Sequence, residues 1–97
     1  MNIEFYTCPC CGYKTLEQYP TGTYEICPIC YWEDDNIQFD DPFYESGANR
    51  VSFYEAQRNF IQFGASAALF IDSVRKPTTS DRRDVQFKLV ESSNPFS

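Results

Sequence analysis

The sequence predicts a small α+β domain in which a β unit comes first and short packed helices follow. Three observations support this prediction: two cysteine pairs spaced for tight turns, a hairpin pattern between them, and a capped amphipathic helix downstream. A chain of 97 residues has a modest core and needs an extra staple, so we expect residues 1–97 to form a single domain.

The composition predicts a folded, non-membrane protein. Hydrophobic residues make up 42% of the chain and aromatic residues 18%, which is too apolar for a disordered segment. No tract reaches the roughly 18 apolar residues that cross a bilayer, and the N-terminus has no export signal, so we expect a cytoplasmic protein. The chain contains no histidine, which removes the usual general base and any Cys–His nucleophile pair. We therefore expect no enzymatic activity.

The first element, residues 5–32, is predicted to be built from short strands and two tight turns. "YKTLEQYPTGTYEI" at 13–26 has a Pro-Thr-Gly turn at 20–22 between Tyr/Leu and Tyr/Ile segments. Such a pattern is typical of a β-hairpin.

Four cysteines in this element match a metal site. Cys8 and Cys11 are two residues apart, as are Cys27 and Cys30, and fifteen residues separate the pairs. This spacing is typical of four-cysteine zinc sites, and in a reducing compartment such pairs bind metal more often than they form disulfides. We expect these four residues to hold one structural Zn²⁺ with no open position for water or substrate. Iron is the alternative ion, and residues 5–32 are predicted to be the four-cysteine metal-binding unit of the domain.

Local residues favour the two turns. Gly12 permits the left-handed conformation that closes such a turn, while Pro9 and Pro28 preset the backbone at the turn entries. Cys10 is left over, and three roles are open for it: a filler at a variable position, a substitute ligand, or a redox-sensitive thiol.

Residues 33–49, "EDDNIQFDDPFYESGAN", are predicted to be an ordered acidic loop pinned by its aromatic side chains. Acidic groups beside aromatics suit a protein partner with a basic surface, because the charges speed encounter and the rings supply contact area. A solvated loop whose aromatics fill the core is the plainer interpretation. The candidate partner-binding residues are Glu33, Asp34, Asp35, Asp40, Asp41 and Glu45.

Residues 50–90 are predicted to be mainly helical, starting with a helix after Ser52. Ser52 and Glu55 form a capping-box pattern, and Gly64 stands where a left-handed residue would end the helix. An apolar stripe at helical spacing predicts the face that packs on the core. It consists of Phe53, Ala56, Phe60 and Phe63.

Shorter elements are predicted farther along. A second helix is expected at 66–74, a helical turn at 79–84 and an edge strand at 85–90, with a loose tail at 91–97. Pro77 would prevent the second helix from continuing.

The charge is unevenly distributed. Residues 1–48 carry nine acidic residues against Lys14 alone, a net charge of −8, whereas residues 49–97 carry a net +2, which together give −6. Four thiolates around one Zn²⁺ would make the N-terminal half still more negative. This half therefore has the wrong sign for nucleic acid and suits a basic protein surface.

Three blocks of the sequence resemble the cysteine-rich CPCC family of small bacterial proteins. They are "CPCCGYKTL", "GTYEICPICYWEDD" and "GANRVSFYEAQRNFIQFGAS", with "VRKP" at 74–77 following in the same order. The resemblance implies a zinc-ribbon-like fold with the four paired cysteines as ligands, in a bacterial cytosol. Some members lie near polymorphic toxin genes, which implies an immunity role for those members and a toxin domain as the partner.

Two other functions are open on the sequence. "CCGY" with a later "CPxC" is also similar to rubredoxin, an electron-transfer protein, although Tyr31 stands where the second turn would carry glycine. Nucleic-acid binding through the ribbon is the other alternative. The basic residues that it would use are Arg75, Lys76, Arg82 and Arg83.

Overall fold

The computed structural model describes residues 4–91, and its regular elements are short. Strand β1 (Tyr6–Thr7) pairs antiparallel with β2 (Lys14–Leu16), with Tyr6 opposite Leu16 and an irregularity before Thr7 meets Lys14. Helix α1 spans Asn36–Asp40, helix α2 spans Phe53–Phe63, and a single 3-10 turn spans Ala68–Phe70. The α+β prediction is confirmed at this level.

The hairpin predicted at 13–26 does not form as a ladder. Its first arm, β2, pairs with β1 instead, and its second arm makes a bridge between Ile26 and Glu33. The two arms are joined by the side chain of Glu25, which accepts hydrogen bonds from the backbone N–H groups of Glu17 and Gln18. The turn at residues 20–22 therefore reverses the chain direction, but the two arms on either side of it pair with other segments and not with each other.

Helix α2 begins and ends where its sequence signals predict. The Ser52 hydroxyl accepts a hydrogen bond from the Glu55 N–H, and Gly64 ends the helix in the left-handed conformation with φ 83°. Phe53 and Ala56 on the predicted stripe are buried, and Phe60 packs against the core. The Phe53 ring lies 5.3 Å from that of Trp32 and 5.4 Å from that of Phe39, between centroids.

Two other predicted elements differ from the structure. The loop at 33–49 contains helix α1, because the Asp35 side chain caps it by accepting from Ile37 N–H and Gln38 N–H. Only the 3-10 turn forms within 66–74, where the chain is held by a hydrogen bond from Ser66 N–H to the carbonyl of Cys30.

The C-terminal part follows the core without a strand or a helix. Within 79–84, Arg82 and Arg83 lie beside β2, where the Lys14 N–H donates to the Arg82 carbonyl. The predicted strand at 85–90 is absent because its residues bond to side chains, such as Val90 N–H to the Gln57 amide oxygen. The loose tail predicted at 91–97 lies outside the described residues beyond 91.

The core of the described chain is centred on sulfur. The buried cluster contains all five cysteines, with Leu16, Ile29, Trp32, Phe53 and Ala56 around them. Since half of this cluster is cysteine, whatever the thiols bind lies in the middle of the core and not at its edge.

Candidate metal centre

The two cysteine pairs lie in turns with the same backbone hydrogen bonds. In the first turn the Cys8 N–H donates to the carbonyl of Tyr13 (2.8 Å), and the Gly12 N–H donates to the carbonyl of Cys8 (2.9 Å). In the second turn the Cys27 N–H donates to the carbonyl of Trp32 (3.0 Å), and the Tyr31 N–H to that of Cys27 (2.8 Å). Because the two turns have the same cysteine spacing and the same backbone hydrogen bonds, each of them directs two sulfurs to a common centre.

Both turns close with a left-handed residue. Gly12 has φ 81° and Tyr31 has φ 69°, at matching positions one residue after the second cysteine. An ordinary side chain disfavours this conformation, so tyrosine at position 31 departs from what the turn prefers. The Tyr31 ring packs on Phe70, with centroids 4.7 Å apart, and this contact offsets the cost.

The sulfur atoms of Cys8, Cys11, Cys27 and Cys30 all lie within 4.8 Å of one another. The distance between Cys8 Sγ and Cys30 Sγ is 3.6 Å, and that between Cys11 Sγ and Cys27 Sγ is 3.8 Å. Sulfurs placed 2.3 Å from one ion in a regular tetrahedron would be about 3.8 Å apart. The spacing therefore fits a single tetrahedral metal ion.

Hydrogen-bond donors lie beside two of the sulfurs. The Thr15 hydroxyl is 3.0 Å from Cys27 Sγ, and the Trp32 N–H donates to Cys30 Sγ at 3.4 Å. Such donors stabilise a thiolate and spread the negative charge of a four-thiolate site. The sequence analysis missed Thr15, because a hydroxyl one residue before the buried end of a strand gives no signal of this role.

Burial and mutual hydrogen bonding shift the thiol pKa values apart. Burial raises the pKa of the Cys8 and Cys30 thiols well above the ordinary value. Hydrogen bonding between Cys11 and Cys27 raises the pKa of Cys11 and lowers that of Cys27. Without an ion the cluster holds protons that a metal must displace, because thiolates are the ligands.

Cys10 is buried with the other cysteines but is not one of the four clustered sulfurs. It belongs to the same packed core as Leu16 and Ile29. Besides burial, a hydrogen bond with the Cys10 side chain raises the pKa of Cys30, so Cys10 lies beside a ligand sulfur and its role as a filler stays a prediction.

The six acidic residues predicted to bind a partner divide into two groups. Asp34 and Asp35 are buried, so they are unavailable to a partner. Asp34 accepts from the N–H and hydroxyl of Thr23, and Asp35 accepts from the Ala48 N–H besides capping α1. Glu33 is half-buried, whereas the remaining three are exposed: Asp40, Asp41 and Glu45.

Buried amides support the site, and the sequence analysis did not select them. Gln57 donates to the carbonyl of Pro9 at 3.0 Å and accepts from the Val90 N–H at 2.8 Å, so it ties the first turn to the C-terminal part. Gln38 and Asn49 bond to each other inside the acidic segment. Gln57 lies one position after Ala56 on the buried face of α2, and that location is the signal that could have found it.

The basic residues proposed for nucleic acid are partly engaged within the chain. Arg75 makes two 2.8 Å bonds to Asp81, and Arg83 lies over the rings of Tyr13 and Phe87. The Arg75 guanidinium holds the pKa of the Asp81 carboxyl well below its usual range. These contacts reduce the positive charge available to phosphates.

Comparison with known proteins identifies a family. The sequence model described as Cysteine-rich CPCC matches residues 6–81, which is more than half of the chain and includes all five cysteines. No curated protein matches the chain. Among residues 4–91, no helix is long and apolar enough to cross a membrane.

Proposed function

Since this chain belongs to the cysteine-rich CPCC family, we propose that it is a non-catalytic zinc-binding protein that acts by binding another protein. In this proposal Cys8, Cys11, Cys27 and Cys30 hold one Zn²⁺ as thiolates. The ion supplies a cross-link between two turns and no reactive position.

The observation that carries the proposal is the closure of the four-cysteine cluster. Each of the four residues has 0% of its surface exposed, and each contributes one sulfur to the same centre. Four protein ligands complete a tetrahedral zinc site, so neither water nor substrate has a position on the ion. A structural role follows from that closure.

Metal analysis of the purified protein tests the choice of ion. We expect one zinc per chain and no absorption in the visible range, because Zn²⁺ has a filled d shell. One iron per chain with a red colour would instead support the rubredoxin-like alternative, since iron takes the same tetrahedral sulfur ligands.

Support for a protein partner comes from the surface around α1, here called the acidic–aromatic face. Large hydrophobic side chains are exposed there, with Ile37 at 55% and Phe43 at 51% of their surface. They stand among exposed carboxylates. The face consists of Ile37, Phe39, Asp40, Asp41, Phe43, Tyr44 and Glu45.

A face of this kind suits a partner with a basic surface. Exposed rings supply the anchoring area of an interface, and carboxylates around them steer a cationic partner into place. A toxin with a cationic active site, such as a nuclease, has such a surface. We therefore extend the proposal to an immunity or inhibitor protein that neutralises a basic toxin.

Affinity capture with two matched double variants tests this part. The bait is the metal-loaded protein in a lysate of its own organism. The test variant is Asp40→Asn/Asp41→Asn, and the control variant is Asp72→Asn/Glu91→Gln, which neutralises two exposed acidic residues outside the acidic–aromatic face. We expect one stoichiometric basic protein that the first variant loses and the second retains. Equal capture by both variants would contradict the acidic–aromatic face, and release by nuclease treatment would favour nucleic-acid binding.

A further inference from the structure

A cleft of about 950 Å³ lies beside the second cysteine turn, away from the residues of the acidic–aromatic face. It is lined by β2, by residues 25–28 and by the loop that follows Arg75. Its volume is within the roughly 300–1,000 Å³ range of ligand pockets. Most of its lining side chains are polar or charged, which is unlike the apolar lining typical of cofactor pockets.

One end of the cleft is basic. The Lys14 N–H donates to the carbonyl of Arg82 at 2.8 Å, so these two residues are backbone neighbours, and both line the cleft. Arg75 lines it too, but its charge is neutralised by the ion pair with Asp81. Lys14 and Arg82 make no direct ion pair within residues 4–91, although the pKa of Asp84 is lowered by hydrogen bonding and, in part, by the Lys14 charge.

The other end is acidic. Glu4, Glu17 and Glu25 all line the cleft, and the pairing of Tyr6 with Leu16 brings the chain before β1 beside the chain after β2. The Glu25 carboxylate is fixed at this end by its 2.8 Å hydrogen bond from the Glu17 N–H.

Apolar surface is also part of the lining. Phe5 and Ile26 both line the cleft and have 44% and 43% of their surface exposed. A ligand that uses the whole cleft would therefore present groups of both charges and an apolar group.

We propose that this cleft binds an extended peptide segment of a partner protein, with an acidic and a basic side chain flanking an apolar one. The acidic group would lie at Lys14 and Arg82, and the basic group at Glu4, Glu17 and Glu25. A short peptide carries groups of both charges and an apolar group on one backbone, so it complements the whole lining of the cleft. The inference rests on protein binding in the proposed function, but it uses a separate surface.

The cleft depends on the metal centre. Thr15 lines it and bonds to Cys27 Sγ, and the carbonyl of Pro28 accepts a hydrogen bond from the Arg75 N–H at 3.1 Å. Part of the wall, at Thr15 and Arg75, is therefore positioned by the second cysteine turn. Removal of the ion should abolish peptide binding together with the fold of that turn.

Selection from random twelve-residue peptides displayed on phage, with the metal-loaded full chain as bait, tests the inference. We expect enriched peptides to carry an acidic and a basic residue two to four positions apart with an apolar residue between them. A synthetic copy should bind at least tenfold more weakly to Arg82→Glu and to Glu17→Lys, measured by fluorescence anisotropy. Lys88→Glu, an equal charge change on an exposed residue outside the cleft, should alter binding less than twofold.

Three results would overturn the inference: no enrichment, enriched peptides with charges of one sign, or equal binding by Arg82→Glu and Lys88→Glu. The double variant Asp40→Asn/Asp41→Asn separates this site from the acidic–aromatic face. Peptide binding that survives this variant supports the cleft whether or not the partner of that face is found. Peptide binding lost only in this variant would contradict the cleft and leave the proposed function standing.

Discussion

At the scale of single residues, the two consecutive aspartates 34 and 35 show how an acidic segment can be structural. Both are buried: Asp34 Oδ2 accepts from Thr23 and Asp35 accepts from the Ala48 N–H, whereas Asp34 Oδ1 has no partner within residues 4–91. A buried carboxylate is tolerated when it is well hydrogen-bonded, and Asp35, whose two oxygens both accept hydrogen bonds, meets this condition and fixes the local chain. The charge run that suggested a binding surface thus contains part of the interior.

Asp35→Ala should destabilise the protein by about 2–3 kcal/mol. The change removes the cap of α1 and leaves the Ala48 N–H without its acceptor. Urea unfolding of the metal-loaded protein measures the difference. The control variant Asp40→Ala removes the same charge from an exposed position and should change stability by less than about 0.5 kcal/mol. Equal destabilisation by Asp35→Ala and Asp40→Ala would contradict the interior role of Asp35.

The cysteines should also differ residue by residue. Cys27→Ser should lose the metal and unfold the chain, because the metal-binding free energy of such sites, about 10–16 kcal/mol, matches or exceeds the stability of a small domain. Cys10→Ser should keep its metal, since Cys10 is not one of the four clustered sulfurs. Elemental analysis and circular dichroism check both variants. Loss of metal from Cys10→Ser would show that the assigned ligand set is wrong.

At the scale of elements, the two cysteine turns use one backbone solution with different residues. Glycine closes the first turn and tyrosine the second, both with positive φ. The first turn needs glycine for a further reason, because a Cβ at position 12 would lie 2.6 Å from Phe87 Cγ. The second turn tolerates a side chain because Phe70 packs on it.

Gly12→Ala should cost more stability than Gly64→Ala. Both residues have a left-handed φ, at 81° and 83°, but a Cβ at Gly64 has nothing within 4 Å. Alanine should therefore cost about 1–2 kcal/mol at position 64 from the backbone alone, and an additional 1–3 kcal/mol or so at position 12 from the collision with Phe87. Thermal unfolding compares the two variants. If Phe87→Ala does not reduce the cost of Gly12→Ala, the collision is not its cause.

The C-terminal segment illustrates how a side chain can replace strand pairing. Val90 N–H bonds to the Gln57 side chain, and Phe87 covers the first cysteine turn. The Gln57 amide oxygen thus accepts the hydrogen bond that a neighbouring strand would otherwise accept from the Val90 N–H. Phe87 fills the space beside Gly12. Of the alternating apolar residues, Phe87 contacts the first cysteine turn, whereas Val85 and Leu89 are exposed, so the alternation of residues 85–90 predicted neither a strand nor a buried face.

At the scale of the whole molecule, the fold has little regular structure to hold it. Between residues 4 and 91 the sheet has two strands of two and three residues, and the longest helix has eleven. Because strand pairing is so limited, most of the stability must come from the sulfur-centred core. An ion that joins both cysteine turns is the staple expected of so short a chain.

Acid should release the metal and unfold the protein together. Burial raises the pKa of Cys8 and Cys30, so protons compete with the metal for these sulfurs over a wide range and win as the pH falls. Stability from the ion is thus present at neutral and higher pH and is lost toward acid. A titration from pH 8 to pH 4 that follows zinc with an indicator and the fold by circular dichroism should give coincident transitions. Metal release well before unfolding would contradict the structural role.

The sequence by itself determined the features that depend on local spacing. Two residues between cysteines let one turn aim both sulfurs at one point, and a serine and a glycine at the proper distance delimit α2. These features depend on backbone geometry over four to twelve residues, so the local sequence is sufficient to predict them. The family followed from the same local blocks.

Only the tertiary structure decided which segments meet. Residues 14–16 pair with Tyr6–Thr7 and lie beside Arg82–Arg83, and not with the arm near Ile26 that the hairpin pattern favoured. It also decided that Asp34 and Asp35 lie inside while Asp40 and Asp41 lie outside, although the four read alike in the sequence. The physical reason is that pairing and burial depend on partners far away in the chain, and local propensity carries no information about which partner the core will bring near.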